Sequence, residues 1–295
     1  MFLVPLLQLA RDRYFWSPPR LARIVWAIST NIGRQIGVFR LLAKPPLQSL
    51  AFSDPQFPFK YLSRDYLVRG LSAADRAACF LHHYSFMHAQ FPAGVLRQTL
   101  QRDFPLLEVE DAGVRYAVCM GLSRHEVREG ELFLQLRVDD VCVYVMQFTV
   151  VPGWVVGSGT ANVILVSRVQ GMKGSYTQVH AATKVFREVA PPALLASVLQ
   201  GFAAAFGIEE FAGVAAASQF CFTPDTADTF IESYDNFFID LGAMPVCGRY
   251  FCSPLPFREK SVDHIKNGHK SRTRKKRAYK LEIAERVNQL IRSSS

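Results

Sequence analysis

The sequence predicts an α+β fold, a mixed, largely antiparallel sheet flanked by helices, with helical extensions at both ends. Three observations predict it. Between Ala161 and Tyr250, apolar and amphipathic runs follow one another as strand, glycine loop, helix, strand, helix, strand. Ahead of that unit lie strand-like runs, two of them joined by only Asp139-Asp140. The two ends combine helical spacing with a basic bias. The expected divisions are a basic amphipathic extension with a Pro-rich connector over 1–70, an α+β domain over 71–256, and a basic helical tail over 257–295.

In the first segment Arg20, Arg23, Arg34 and Arg40 are interleaved with Leu21, Ile24, Val25, Trp26, Ile28, Ile32 and Ile36, and no acid occurs between Tyr14 and Ser53. Such a helix either lies on an anionic membrane surface or packs on the main domain with its arginines in water. Pro45-Pro46, Pro55 and Pro58 mark the connector.

Ser72 with Asp75 has the spacing of a helix start, and the helix it opens carries Cys79, Phe80, His83, Tyr84, Met87 and His88. His82, His83 and His88 include no pair four residues apart, so their spacing does not predict a zinc site. His83 is instead a candidate general base, because imidazole exchanges a proton near neutrality; the alternative is a core-edge histidine bonded to a backbone group. Val114 to Leu122, Glu131 to Val138 and Val141 to Val150 read as strands. Glu129 and Glu131 flank Gly130 at a strand head, where alternation would put both carboxylates on one face; Glu131 is the second candidate base or a substrate anchor, with solvated acids at a strand end as the alternative.

The central strand, from Val163, runs into Arg168, Gln170, Gly171, Lys173, Gly174 and Ser175 before a helix-compatible segment. Glycines let a backbone approach a ligand, and amides at a helix start favour a phosphate or pyrophosphate; a plain turn is the competing reading. Lys184 would add a charge-assisted contact to such an anion. Pro191-Pro192 opens a helix that Gly207 closes, Phe211 to Ser218 reads as a strand, and the helix after Pro224 carries Phe230, Tyr234, Phe237 and Phe238. Pro245 to Cys252 reads as one closing strand.

This order, with Tyr234-Asp-Asn-Phe-Phe-Ile-Asp-Leu-Gly-Ala-Met-Pro, resembles the C-terminal half of the GNAT acyltransferase superfamily. The resemblance implies that the loop after the central strand holds the donor's pyrophosphate and that Tyr234 protonates the leaving thiolate. Arg168, Gln170, Gly171 and Gly174 meet that superfamily's loop spacing only approximately. A narrower resemblance, from His82 to the C-terminus, rests on His83-Tyr84, Glu129-Gly-Glu131-Leu132, Gln170-Gly171, Thr183-Lys184, Ser233-Tyr234-Asp235, Leu255-Pro256 and the basic ending. These are similar to the VirK/YbjX-like proteins of bacteria, a family linked to envelope or virulence traits without a defined reaction. Val185 to Pro192 departs from that family's usual turn.

The net charge of +9 is local: residues 266 to 280 hold eight Lys or Arg and no acid, which leaves the rest of the chain nearly neutral. The tail therefore calls for an anionic partner, either an acyl carrier protein or an anionic membrane surface; nucleic acid is disfavoured because Tyr279 is the tail's single aromatic. Six cysteines without a Cys-x-x-Cys pair read as reduced thiols, no basic residue precedes the apolar stretch Met1 to Ala10, and no apolar run is long enough for a membrane span. The expected setting is cytoplasmic, with peripheral membrane attachment as an option. Two functions fit: an acyltransferase using an acyl thioester on coenzyme A or a carrier protein, with no tightly bound cofactor or metal, and a non-catalytic adaptor at the inner membrane face.

Overall fold

The computed structural model describes residues 26, 28–124, 127–258 and 267–294. Its eight strands form one sheet: β1 Phe104–Asp111, β2 Val114–Leu122, β3 Leu132–Val138, β4 Val141–Pro152, β5 Asn162–Gly171, β6 Glu210–Val214, β7 Met244–Val246 and β8 Tyr250–Pro254. The order across the sheet is β1-β2-β3-β4-β5-β6-β8-β7. The first five strands are a meander of antiparallel neighbours, β6 lies parallel to β5, and β8 and β7 return antiparallel.

Local chemistry fixes several joints. Asp139 and Asp140 both take positive φ, 47° and 67°, which is the hairpin geometry that short acids tolerate. The run from Pro245 to Cys252 is two strands rather than the single one expected, because Cys247 (φ 52°) and Gly248 (φ 64°) reverse the chain between β7 and β8. β1 was not expected at all. It pairs only with β2 and carries Glu108, Glu110 and Asp111 toward solvent, so its pattern is that of a charged sheet edge and not of an apolar strand.

The helices are α1 Ile32–Leu42, α2 Gln48–Ser53, α3 Ala73–Gln90, α4 Ala93–Gln101, α5 Tyr176–Val185, α6 Pro191–Phe206, the short turns α7 Ala227–Phe230 and α8 Phe237–Asp240 on either side of a π-helical turn Ile231–Asn236, and α9 Asn267–Ser293. A reciprocal capping box starts α3: the Asp75 amide donates to Ser72 Oγ, and the Ser72 amide to Asp75 Oδ2. In α1 the residues Gln35, Val38, Leu41 and Leu42 are buried, so this part of the N-terminal segment packs on the domain. Arg20, Arg23 and the apolar residues from Leu21 to Val25 lie outside the described residues.

The C-terminal helix α9 buries Tyr279, Ile283, Ala284, Val287 and Ile291 and crosses α6 at Gly201. A Cβ on Gly201 would stand 2.4 Å from the Ala284 carbonyl oxygen and 2.8 Å from Val287 Cβ, so backbone must move to admit it. Gly201→Ala is expected to cost about 1–3 kcal/mol, the usual penalty for overpacking a tight core. A urea titration followed by circular dichroism checks this; an unchanged midpoint would mean that α9 is not seated there.

Candidate functional site

The parallel neighbours β5 and β6 are paired only at Ile164, Leu165 and Val166 with Phe211, Ala212 and Gly213. At that point β5 carries an extra residue: Phe148 of β4 opposes Val166, Gln147 opposes Arg168, and Ser167 between them has no partner. A bulge bends the strand that contains it. Beyond it Val169 to Gly171 remain paired with β4 while β6 has turned away.

The gap is a cleft of about 370 Å³. Arg168, Val169, Gln170 and Gly171 form one wall with Tyr144; Thr229, Phe230, Ser233 and Tyr234 form the other; Glu129 and Cys221 close the sides. Gly171 is held against Tyr144, whose ring would lie 3.2 Å from a Cβ there. The guanidinium of Arg168 donates to Gln170 Oε1 from Nε (3.0 Å) and from a terminal nitrogen (2.9 Å), a pairing of two side chains on the same strand face.

Tyr234 sits on the π-helical turn, a local widening often found at functional positions. Its ring stacks on Phe230 at 5.6 Å, and Phe238, one turn on, fills the space above Gly213 of β6. Asp235 accepts from the Ala216 amide at 2.7 Å and pins the turn to the end of β6. Burial raises the Tyr234 pKa above that of free tyrosine, and Glu129 adds to this; the nearby Val169 backbone and the charge of Arg168 pull it back. The hydroxyl therefore keeps its proton at neutral pH.

The two proposed bases lie elsewhere. The strand expected to begin before Glu131 begins at Leu132, so Glu129 and Glu131 do not share a face. Gly130 crosses over β4 so closely that a Cβ would stand 2.9 Å from Gln147 Cβ, and the chain on its two sides diverges. Glu129 lines the cleft, whereas Glu131 is fully buried behind it. There Lys60 Nζ lies 3.2 Å from Glu131 Oε2 and donates also to the Ser123 and Gly130 carbonyls, and the Tyr84 hydroxyl donates to the same carboxylate oxygen. The Glu131 amide donates to Thr149 Oγ1 at 3.0 Å. Desolvation lowers the Lys60 pKa against the opposing pull of Glu131, and raises that of Tyr84. Such a pair is costly to break: removing one partner of a buried ion pair typically loses about 3–5 kcal/mol.

His83 is also fully buried. β3 ends opposite Phe148, so the Val150 amide has no partner from that strand, and it donates to His83 Nδ1 at 3.1 Å. An Nδ1 that accepts a backbone hydrogen bond carries no proton, and burial, with Lys60 and His82 nearby, holds the ring's pKa well below 6.5. His83 is thus a neutral brace at the β4 edge and no part of the cleft.

Among the anion-binding candidates, Arg168, Gln170 and Gly171 line the cleft. Lys173 and Gly174 are exposed in the loop beyond it, with Gly174 at φ 83°, and Ser175 is the buried residue that precedes α5. Lys184 is exposed at the far end of α5, ten residues of helix from the loop. Tyr144, Cys221, Ser233 and Glu129 as a lining acid were not read as a group from the sequence; they come from four segments, and of these Tyr144 is tied by strand register to the expected loop, opposite Gly171.

The family model described as a protein of unknown function (DUF535) matches residues 27–289, nearly the whole chain. It is the same family as the VirK/YbjX-like proteins. No curated protein and no solved structure matches.

The His83 bond has a stability consequence. The ring has a low pKa when folded and an ordinary one, near 6.5, when unfolded, so the unfolded chain binds the extra proton. Stability is then complete above about pH 6.5 and falls as pH drops below it. His83→Asn keeps an acceptor for the Val150 amide and removes the titration; its urea midpoint should change less than that of the wild type between pH 7.5 and 5.5. Equal slopes in the two proteins would contradict the assignment.

Proposed function

Since the chain belongs to the DUF535 family of proteins of unknown function, its relatives supply no reaction, and we propose that it is a GNAT-like N-acyltransferase, moving an acyl group from a thioester donor to an amine. One observation carries the reading. The parallel pair β5–β6 parts at a bulge, and the opening holds a strand-end Arg-Val-Gln-Gly on one side and a protonated tyrosine on the other. The sheet order supports it: an antiparallel meander, one parallel step through the helices α5 and α6, and an antiparallel return is the arrangement that a GNAT-like unit requires.

In this reading the donor lies along the free edge of β5. Its thioester carbonyl accepts from the Val169 amide beside Tyr234, and amides aimed at a developing oxyanion are usually the largest contribution to acyl transfer. Arg168 and the chain from Gly171 to Ser175 face the donor's phosphates. The amine nitrogen attacks the carbonyl carbon and loses a proton to Glu129, the acid that faces the cleft, in place of the buried Glu131. As the carbon–sulfur bond breaks, Tyr234 gives its proton to the departing sulfur. Glu129 then returns the proton it gained to the tyrosinate through solvent, and the site is restored.

Tyr234→Phe and Glu129→Gln should each lower turnover by about 10²-fold or more, the usual share of a general acid or base, while donor affinity measured by calorimetry stays within twofold. Full turnover in both variants, or no heat from any acyl thioester, would end the proposal.

A second reading, a non-catalytic adaptor on an anionic membrane surface, has its own supporting observation. With its other side buried, α1 presents Ile32 (61% exposed) and Ile36 (42%) outward, with exposed Arg40 one turn further on. No helix among the described residues is long and apolar enough to cross a membrane. Wild-type protein should sediment with vesicles rich in phosphatidylglycerol in a salt-sensitive way, and Ile32→Ser/Ile36→Ser should stay in the supernatant. Equal sedimentation of the two would remove this reading.

A further inference from the structure

The basic C-terminal segment has a divided structure. From Tyr279 onward α9 is anchored in the core, whereas none of Lys270 to Ala278 is buried. The division is marked by contacts to the corner between α5 and α6. Arg187 covers the Tyr279 ring at 4.3 Å and approaches Glu282 at 3.5 Å, and Arg272 pairs with Glu188 at 2.7 Å. The cationic stretch is therefore fixed to the far end of α5, the helix whose near end begins at the Gly171–Ser175 loop of the cleft.

We propose that this half of α9 docks an acidic acyl carrier protein, so that the donor is a carrier-bound thioester delivered into the β5–β6 cleft rather than free coenzyme A. The proposal rests on the acyl-transfer reading and names its donor. Three features select this partner. The described residues from Lys270 to Ala278 include five exposed or half-exposed cations besides Arg272 and no acid, which is complementary to an acidic helix face. The same stretch has no large apolar side chain to insert between lipids, so a bilayer would be held by charge alone. Its one neighbouring aromatic, Tyr279, is buried beneath Arg187 and cannot stack on a nucleic-acid base.

Distance fits as well. The ten residues of α5 span roughly 15 Å at 1.5 Å per residue, a length that a flexible phosphopantetheine arm can cross from a carrier seated on α9 to the cleft. Lys173 and Lys184 are exposed at the two ends of that path. Lys184, too far along the helix to hold the phosphate at the loop, becomes part of the carrier's footing.

The test compares two donors bearing the same acyl group, lauroyl-pantetheine and lauroyl-loaded acyl carrier protein, on the full chain and on Arg274→Glu/Lys275→Glu/Lys276→Glu. Circular dichroism establishes that the variant is folded. Carrier affinity should fall at least tenfold in the variant and lose its salt dependence, while lauroyl-pantetheine binds both proteins alike. If pantetheine binds both but the carrier binds both equally or not at all, the docking proposal fails and acyl transfer stands. Heat from neither donor overturns the docking proposal together with the acyl-transfer reading. Binding of phosphatidylglycerol vesicles or RNA through the same three residues, with the carrier ignored, overturns it in favour of that partner.

Discussion

The constraint on which the rest of the structure depends is the separation of two parallel strands. A parallel neighbour satisfies a strand's outward amides and carbonyls, and β6 does so for β5 over only three positions. The extra residue at Ser167 bends β5 where that pairing stops, and from there its outward groups need other partners. The one at Val169 lies beside the Tyr234 hydroxyl. A backbone group that faces the cleft is open to a ligand in a way that one locked in a strand ladder is not.

Keeping the gap open requires rigid walls. On one side, β5 stays paired from end to end, apart from Ser167, with the twelve-residue β4, and Glu131 with Lys60 and Tyr84 clamps the chain that crosses β4 at Gly130. This places Glu129 at the mouth. On the other side, Phe238 sits in the hollow left by Gly213, and Asp235 ties the π-helical turn to Ala216. The buried charge is a means of fixing one geometry, since a desolvated pair tolerates no alternative partner.

Much of the fold was legible because its signals are local. Ser72 with Asp75, Asp139-Asp140, and Pro191-Pro192 with Gly207 each act within a few residues, and each became the boundary it announced. The β7–β8 turn was hidden because Cys247 takes a conformation that glycine or asparagine usually signals. In the cleft, Arg168, Gln170 and Gly171 were legible as the end of an apolar strand followed by glycine, and Tyr234 as the polar member of an aromatic helix face. Glu131 was a candidate through the resemblance more than through its spacing, and the period-two argument that would put it beside Glu129 fails because the strand begins only at Leu132. Its partner Lys60 lies 71 residues away, a pairing that only the tertiary fold creates.

The Val169 amide gives the most direct test of the central claim, because Val169 lines the cleft opposite Tyr234, where the donor should bind. In protein labelled with ¹⁵N-valine, titration with lauroyl-pantetheine should shift the Val169 resonance strongly and leave Val287, buried where α9 crosses Gly201 of α6, in place. A saturable shift confined to Val169 and its cleft neighbours is the predicted result. An unmoved Val169 signal under conditions where the thioester binds elsewhere would contradict the account.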